Sequence, residues 1–355
     1  MSGTQAGTPS VHHRPPPTYG TRPIARDKRA ASLSARLPPG RRANLAEMPT
    51  HATGTDRRPI VCGVDDSDGS RAALAFAARL ARGLGVQLVL AHASERGHPP
   101  TGRALAAERI RASEPELIGR VARDADVTDY RFARVESPWA AKGLLTIASS
   151  ERAELLVVGS RGRGLVRARL LGSVSEEVAR RARCPVVVVP PRAAEGYGEL
   201  MRRPVIACGI DGSDNALDAA RVSGELARRL GRRVLLLHAS PPSEPMHAMT
   251  TAGGGQLPRS GYPLVGPEKR EAQARLRRAA EAVGAGVRVD AALEVADPVS
   301  SLLEVAEREA AEMLVVGSRG RGPVRAIVLG SVSRELAALA DRPVLIVPAG
   351  QRQSA

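Results

Sequence analysis

The sequence predicts an α/β protein made of two tandem doubly wound parallel-sheet domains. Three observations lead to this fold class: a long internal repeat, short aliphatic runs that alternate with Ala- and Leu-rich segments, and a glycine motif with the same spacing in both copies. Only 2% of the 355 residues are aromatic, so the core has to be aliphatic. Strands of a parallel sheet, which are covered on both faces, have such near-continuous aliphatic sequences.

The repeat divides the chain into two similar domains. The segment LVVGSRGRG, which begins at Leu156, recurs letter for letter from Leu314. Residues near the start of each copy also match: Cys62 with Cys208, Asp65 with Asp211, and His92 with His238. We expect domains at residues 58–191 and 204–349, a linker at 192–203 and a tail at 350–355.

Residues 1–57 are a basic extension rich in Pro and Arg, which we expect to be disordered. Residues 1–58 carry ten Lys and Arg but three Asp and Glu. Their net charge of +7 is nearly half of the chain's formal charge of +15. Such a segment can bind nucleic acid by charge alone, although a solvated tail is the simpler interpretation. Met48 is an alternative start to Met1.

The first domain opens with a strand, a helix and a second strand. Residues 60–64 are a short aliphatic run, which predicts a strand. Residues 70–83 have Ala and Leu at helical spacing with a Gly near the end, which predicts a helix. Residues 86–91 are aliphatic again. This alternation is typical of a parallel sheet with helices on both faces.

The rest of the domain continues the alternation. A helix is expected within residues 104–124 and a strand at 130–135. Pro138 favours a helix at 139–151, with the proline in its first turn. Strands at 155–158 and 186–189 flank a helix at 173–182. The last strands of the two domains, 186–189 and 344–347, are short aliphatic edges that can pair with one another.

A glycine motif follows the fourth strand of each domain and has the chemistry of an anion site. The motif is Gly-x2-Gly-x9-Gly-Ser, with its first glycine at Gly159 and at Gly317. Glycines let the backbone approach a phosphate closely, and the start of the next helix offers free amides and a favourable dipole. We expect Ser173 and Ser331 to cap that helix and to donate a hydroxyl to phosphate.

The motif differs from the common phosphate-binding templates. A Walker A loop needs Gly-x4-Gly-Lys-Ser/Thr, which the sequence lacks. The dinucleotide fingerprint should follow the first strand, where the sequence has Gly63-Val64-Asp65 instead. Two copies at one spacing, each between Val-Val and a predicted helix, disfavour a plain turn.

With this motif, an Asp after the first strand and a His-Ala pair at the end of the second, the chain resembles the ATP-binding subclass of the universal stress proteins. The resemblance covers residues 59–190 and 204–348. It implies an adenine nucleotide α-hydrolase-like fold in each domain. A proline that opens the helix before the last one is a further family feature, which matches Pro138 and Pro298. The first domain departs from the usual Gly-Asp/Asn-Pro pattern at Glu136-Ser137-Pro138.

The resemblance also implies two sites for ATP, with Mg²⁺ as an option. Asp65 and Asp211 would lie at the nucleoside end, and the backbone of Ala93 and Ala239 would meet adenine. The residues that would hold ribose and phosphates are Gly159, Gly162, Gly172, Ser173 and Val174 in the first domain and Gly317, Gly320, Gly330, Ser331 and Val332 in the second. In the family the last strand makes dimers, so a tandem chain is expected to form an intramolecular pseudo-dimer. A homo-oligomer is left open.

Several of these residues also have structural interpretations. A capped turn before the first helix explains Asp65 and Asp211 as well as a magnesium role does. The arginines beside the glycines either neutralise phosphate or are solvated; they are Arg161, Arg163, Arg319 and Arg321. His92 and His238 are interpreted as strand-end residues bonded to backbone, because no partner for acid–base catalysis stands beside them.

We therefore predict no catalytic residues and no metal-ligand set. Three cysteines without a Cys-x-x-Cys pair favour a reducing cytoplasm. No apolar run approaches 18 residues and no signal sequence is evident, so we expect no contact with membrane. The predicted function is a nucleotide-dependent regulator of the stress response. The alternatives are a slow ATP hydrolase or another enzyme acting on adenine nucleotides, and nucleic-acid binding through the extension.

Overall fold

A computed structural model describes residues 57–95, 116, 118–162, 170–191, 205–241, 266–320 and 328–350. The basic extension that we predict to be disordered lies outside these residues, except for Arg57. Most of the predicted 104–124 helix and the whole 192–203 linker are also outside them. Arg163 and Arg321, which flank the glycine motifs, belong to the same undescribed part of the chain.

The described residues contain ten strands and eight helices. The strands are β1 (Ile60–Gly63), β2 (Leu88–Glu95), β3 (Arg131–Ser137), β4 (Leu155–Gly159), β5 (Val186–Val189), β6 (Val205–Gly209), β7 (Arg233–Ser240), β8 (Val289–Val295), β9 (Ala311–Gly317) and β10 (Val344–Val347). The helices are α1 (Asp68–Leu84), α2 (118–124), α3 (Ala140–Ser150), α4 (Ser173–Arg181), α5 (Asp214–Leu230), α6 (Gly266–Val283), α7 (Pro298–Arg308) and α8 (Ser331–Leu339).

The predicted α/β class and its strand–helix alternation are confirmed. All five strands predicted for the first half, β1 to β5, are present in order. β2 differs most from its predicted range, since it runs on to Glu95. The reason is tertiary: β2 pairs in parallel with β3 along its whole carboxyl half, up to Glu95 opposite Ser137.

The strands form one sheet in the order β3-β2-β1-β4-β5-β10-β9-β6-β7-β8. Within each half all neighbouring strands are parallel. β5 and β10 pair antiparallel in the middle, with Val187 opposite Leu345. The predicted pairing of the two last strands within one chain is therefore confirmed.

The helices cover both faces of this sheet. Alternate strand residues divide between the faces: Ile60 and Cys62 belong to the core under α1 and α5, and Val61 belongs to the core under α3, α4, α7 and α8. Both cores contain residues from both halves, so the apolar contacts are continuous across the antiparallel seam. An ion pair between Arg229 of α5 and Glu154 adds a polar contact between the halves.

Local sequence signals set the ends of α1 and α5. Ser67 and Ser213 cap these helices, because their hydroxyl groups accept hydrogen bonds from the amides of Ser70 (3.1 Å) and Ala216 (3.2 Å). Gly85 ends α1 with φ of 64°, a left-handed conformation that favours glycine.

The predicted place of Pro138 is wrong. Pro298 lies at the start of α7, as predicted, but α3 begins at Ala140 with Trp139 as its N-cap. Pro138 precedes that cap and is outside the helix. β3 and β8 each end two residues before the cap of the next helix, so the position equivalent to Trp139 is Asp297. The two prolines are therefore not equivalent.

Candidate functional site

The structure brings the predicted site residues to one edge of the sheet in each half. The strand order reverses between β1 and β4, and again between β6 and β9. In open α/β sheets, ligands bind at such a reversal, outside the carboxyl ends of the strands. Asp65 follows β1, Ala93 lies near the end of β2, and Gly159 ends β4. Asp211, Ala239 and Gly317 have the same places in the second half.

The bend after β4 is held by backbone and hydroxyl hydrogen bonds. The amide of Ser160 donates to Val189 of β5 at 2.8 Å, and the amide of Gly172 donates to the carbonyl of Ser160 at 2.9 Å. The hydroxyl of Ser175 donates to the carbonyl of Gly159 at 2.6 Å. These bonds tie the glycine bend to the first turn of α4. The second half repeats all three, from Ser318, Gly330 and Ser333, at 2.7, 2.8 and 2.6 Å.

Close backbone approach is the reason for the first glycine of each motif. A Cβ at Gly159 would stand 2.5 Å from the carbonyl carbon of Gly69, and one at Gly317 would stand 2.8 Å from the side chain of Asn215. Any larger residue would push β4 or β9 away from the start of α1 or α5. A Cβ at Gly172 would stand 3.1 Å from the carbonyl oxygen of Ser160, which is also tight.

The predicted caps of α4 and α8 are wrong by one residue. Gly172 and Gly330 are the N-caps, and Ser173 and Ser331 are the first helical residues. The bond from the glycine amide to the preceding bend fixes the glycine in an extended conformation, so the helix can start only after it. Neither helix has a side-chain cap. Their first amides therefore lack a capping hydroxyl, and Ser173 and Ser331 are exposed. Val174 and Val332, in the next positions, are half-buried.

Asp65 and Asp211 stabilise the turn before the first helix of each half, which is the structural role that the sequence suggested for them. In each case Oδ1 accepts hydrogen bonds from the amide and the hydroxyl of the serine two residues on, at 3.0 and 2.5 Å for Asp65 and 2.9 and 2.6 Å for Asp211. In both residues Oδ2 lies toward the glycine bend. A Cβ at Gly162 would be 3.4 Å from Oδ2 of Asp65, and a Cβ at Gly320 would be 2.6 Å from Oδ2 of Asp211. Each carboxylate is thus fixed at the mouth of its glycine bend.

The two strand-end histidines are bonded to backbone, as predicted. Nδ1 of His92 lies 2.8 Å from the carbonyl oxygen of Val64, and Nδ1 of His238 lies 2.6 Å from that of Ile210. A carbonyl can only accept, so Nδ1 carries the proton in both. Nε2 of His238 then accepts from Ser240 at 3.0 Å and from Arg275 at 3.4 Å.

Arg275 is a residue that the sequence did not single out. It lies on α6 and packs over Gly212, where a Cβ would stand 2.8 Å from its side chain. It also pairs with Glu271. Its counterpart in the first half lies outside the described residues, so the structure offers no comparison between the halves at this position. Arg161 and Arg319, which the sequence did single out, are half-buried within the bends.

Asn215 marks the clearest difference between the two bends. It is the second residue of α5 and corresponds to Gly69 in α1. Its buried amide accepts from the backbone of Arg319 at 2.9 Å and from the hydroxyl of Ser318 at 3.3 Å, and it donates to Val347 of β10 at 3.1 Å. The alignment of the repeats contains this exchange and could have revealed it.

A second difference between the halves lies at the opposite edge of the sheet, where the strands have their amino ends. Arg342 is 5% exposed and donates to the carbonyls of Ala306 at 2.6 Å and Ala311 at 3.2 Å. The equivalent residue of the first half is Cys184, which also precedes a proline and the last strand. There a cavity of about 290 Å³ is lined by Cys184, Ala148 and Ala153. Ala148 and Ala153 are the equivalents of Ala306 in α7 and Ala311 in β9, whose carbonyls accept from Arg342. A second cavity, of about 810 Å³, lies at the amino ends of β7 and β8. Neither cavity includes a predicted nucleotide residue.

The three cysteines are free thiols. Burial raises the pKa of Cys184 to about 11 and that of Cys208 to about 12, and it raises the pKa of Cys62 further still. These thiols are therefore protonated at neutral pH. Among the described residues no cluster of three or more His, Cys, Asp or Glu side chains could hold a metal ion. Within the same part of the chain, every helix is too short or too polar to span a bilayer.

Two parallel α/β halves, each with a glycine bend at its topological switch point, define a tandem doubly wound α/β fold. The family model described as universal stress protein family matches residues 56–190 and 203–348. The chain belongs to the universal stress protein family.

Its relatives and solved structures agree with this assignment. Universal stress protein Rv2005c of Mycobacterium tuberculosis strain H37Rv is 32% identical over 197 residues, which are 56% of this chain and 62% of that protein. This match therefore spans less than two thirds of the relative. Universal stress protein MT2698 of M. tuberculosis strain CDC 1551 is 27% identical over 311 residues, 83% of this chain and 98% of that one.

Two solved structures are among those similar to this chain. A universal stress protein of Archaeoglobus fulgidus covers 83% of this chain and all of its own length, with a TM-score of 0.58 and 21% identity, so it shows the shared fold. A universal stress protein in complex with cAMP covers 37% of this chain and 96% of its own, with a TM-score of 0.30 and 30% identity.

Proposed function

We propose that this chain binds ATP, with or without Mg²⁺, in each of its two crevices and acts as a nucleotide-dependent regulator of the stress response. One observation carries the proposal. In both halves a glycine bend is bonded to the uncapped start of the following helix, beside a fixed aspartate. This arrangement presents backbone amides to an anion where a parallel sheet offers a crevice.

The residues fit the parts of a nucleotide. The amides of Ser173 and Val174 would meet phosphate oxygens, since no side chain caps α4. Oδ2 of Asp65 would accept from a ribose hydroxyl or hold hydrated Mg²⁺, because Oδ1 is already used by Ser67. The end of β2 at Ala93 would meet the base. In the second half, Ser331 and Val332 would meet the phosphates, Asp211 would accept from ribose or hold hydrated Mg²⁺, and Ala239 would meet the base.

A regulatory role is favoured over catalysis because the described histidines have structural duties. The Nδ1 proton of each is committed to a backbone carbonyl. Ser160 and Ser318 are both buried, and the hydroxyl of Ser318 donates to Asn215 instead of to an imidazole. Any hydrolysis of bound ATP is therefore expected to be slow. We expect the protein to act in the cytoplasm, in keeping with its three free thiols.

Isothermal titration of the full chain with ATP tests the proposal. We expect two molar equivalents to bind, and we expect Gly172→Ala with Gly330→Ala to weaken both sites at least tenfold, because a methyl group narrows each bend. Gly119→Ala is the matched control, since a Cβ there would meet only the flexible end of Arg123. Absence of binding to the intact chain would refute the proposal. Rapid phosphate release in the same samples would favour an ATP hydrolase instead.

A further inference from the structure

The N-cap of α3 carries an unusual residue. Trp139 is the single tryptophan of the chain and is 71% exposed. An indole is a large apolar group that proteins normally bury, at least in part. Since so little of Trp139 is covered, packing of the core does not explain its presence.

The same residue also leaves its helix without a side-chain cap. α3 has no capping hydrogen bond, whereas Asp297, in the equivalent position of α7, accepts one from the amide of Ser300 at 2.9 Å. Ser, Thr, Asp and Asn stabilise this position and tryptophan does not. Two local rules are therefore broken at one residue, in one half only. Such violations concentrate at functional sites.

The backbone places Trp139 beside the base end of the first crevice. Its amide and carbonyl are both bonded to the hydroxyl of Ser137, at the end of β3. One turn into α3, a Cβ at Gly143 would stand 2.6 Å from Cβ of Ala93. Trp139 is four residues before Gly143, so it stands about 6 Å further toward the carboxyl edge. It therefore borders the space outside Ala93.

We propose that the indole of Trp139 packs against the planar base of the nucleotide in the first site and makes the two sites unequal. This inference rests on the proposed function, because it takes adenine to lie outside Ala93. Aromatic side chains stack on nucleobases with a favourable free energy that is lost on truncation. The second site has Asp297 in this position, whose carboxylate is engaged in the helix cap, so its base has no aromatic neighbour there.

Tryptophan emission of the full chain provides the first test, because Trp139 is its sole source. Titration with ATP or with adenosine is expected to change the emission saturably. Tripolyphosphate, which has no base, is expected to leave it unchanged. The midpoint with ATP should match one of the two calorimetric sites and not both.

Variants of Trp139 provide the second test. Trp139→Ala is expected to weaken one calorimetric site about tenfold and to leave the other unchanged, whereas Trp139→Phe should retain most of the affinity. Trp139→Ser should lose as much affinity as Trp139→Ala while it melts at a higher temperature, because serine restores the cap. A purely structural role would not separate affinity from melting temperature in this way.

The outcomes distinguish the two proposals. If ATP binds by calorimetry but Trp139→Ala binds it equally and emission does not change, the role of Trp139 is refuted and ATP binding stands. If ATP does not bind at all, the proposed function fails first. If Trp139→Ala changes the mass measured by light scattering and not the affinity, the indole contacts another protein chain, which also refutes the inference.

Discussion

The two halves share one fold but hold their glycine bends together in different ways. In the first half, Gly69 and Gly159 bring backbone against backbone. In the second half, Asn215 fills the same place and bonds to the bend and to β10 at once. A duplicated fold can therefore keep the position of a site while the contacts that hold it change. Asn215 also gives the second bend an additional hydrogen bond to the seam strand β10, beside the one from the amide of Ser318 that both halves share in kind.

Two substitutions, Gly69→Asn and Asn215→Gly, should produce the largest effects on the free energy of unfolding. Gly69→Asn is expected to lower the free energy of unfolding by about 3 kcal/mol, because its Cβ would overlap the carbonyl oxygen of Arg161. Asn215→Gly should lower it by about 2 kcal/mol, because buried polar groups lose their partner. Urea unfolding followed by circular dichroism measures both. If Gly69→Asn were as stable as the parent, the two bends would be interchangeable and the comparison would fail.

Arg342 and Cys184 offer a smaller and reciprocal test at the amino edge. Arg342→Met is expected to cost about 2 kcal/mol, because the buried carbonyls of Ala306 and Ala311 lose a donor. Cys184→Arg should stabilise the first half by about 1 kcal/mol if its guanidinium enters the cavity and reaches Ala148 and Ala153.

The exposed Arg334, which pairs with the exposed Glu176 at 3.9 Å, supplies the control for this test. Arg334→Met should change the free energy of unfolding by less than about 0.5 kcal/mol. The same urea denaturation measures all three variants. Equal effects of Arg342→Met and Arg334→Met would show that the buried hydrogen bonds of Arg342 do not stabilise the fold more than a surface ion pair does.

Ionisation of the buried thiols should have the smallest effect on the free energy of unfolding, and only at alkaline pH. The pKa of Cys208 is about 12 when folded, against an ordinary value of 9.0, because burial disfavours the thiolate. A raised pKa means that its stabilising contribution is complete below pH 9 and is lost as pH rises toward 12. Above pH 9 this one thiol should remove about 1.4 kcal/mol per pH unit.

Urea midpoints at pH 8 and pH 10 measure that loss, and Cys208→Ala should reduce it. Cys62→Ala should reduce it similarly, since burial also raises the pKa of Cys62. Cys208 differs in having Ser223 as a partner that lowers its pKa. An unchanged pH dependence in both variants would mean that other groups govern the alkaline loss.

The sequence by itself determined the repeat, the order of strands and helices, and the edge at which the site residues meet. Aliphatic runs, helical spacing and the positions of glycines are local signals, and each of them occurs twice because the sequence is repeated. The strand-end histidines and the pairing of β5 with β10 were also predictable, since each needs only one element and its neighbour.

Only the tertiary structure decided which residue begins α4, which residue corresponds to Trp139, and what Asn215 and Arg342 bind. A helix begins where the preceding backbone allows it, and the bond between Gly172 and Ser160, residues far from each other in the motif, sets that point. The partners of Asn215 and Arg342 lie on other strands and helices. Such contacts depend on how distant segments pack, and a local pattern does not contain that information.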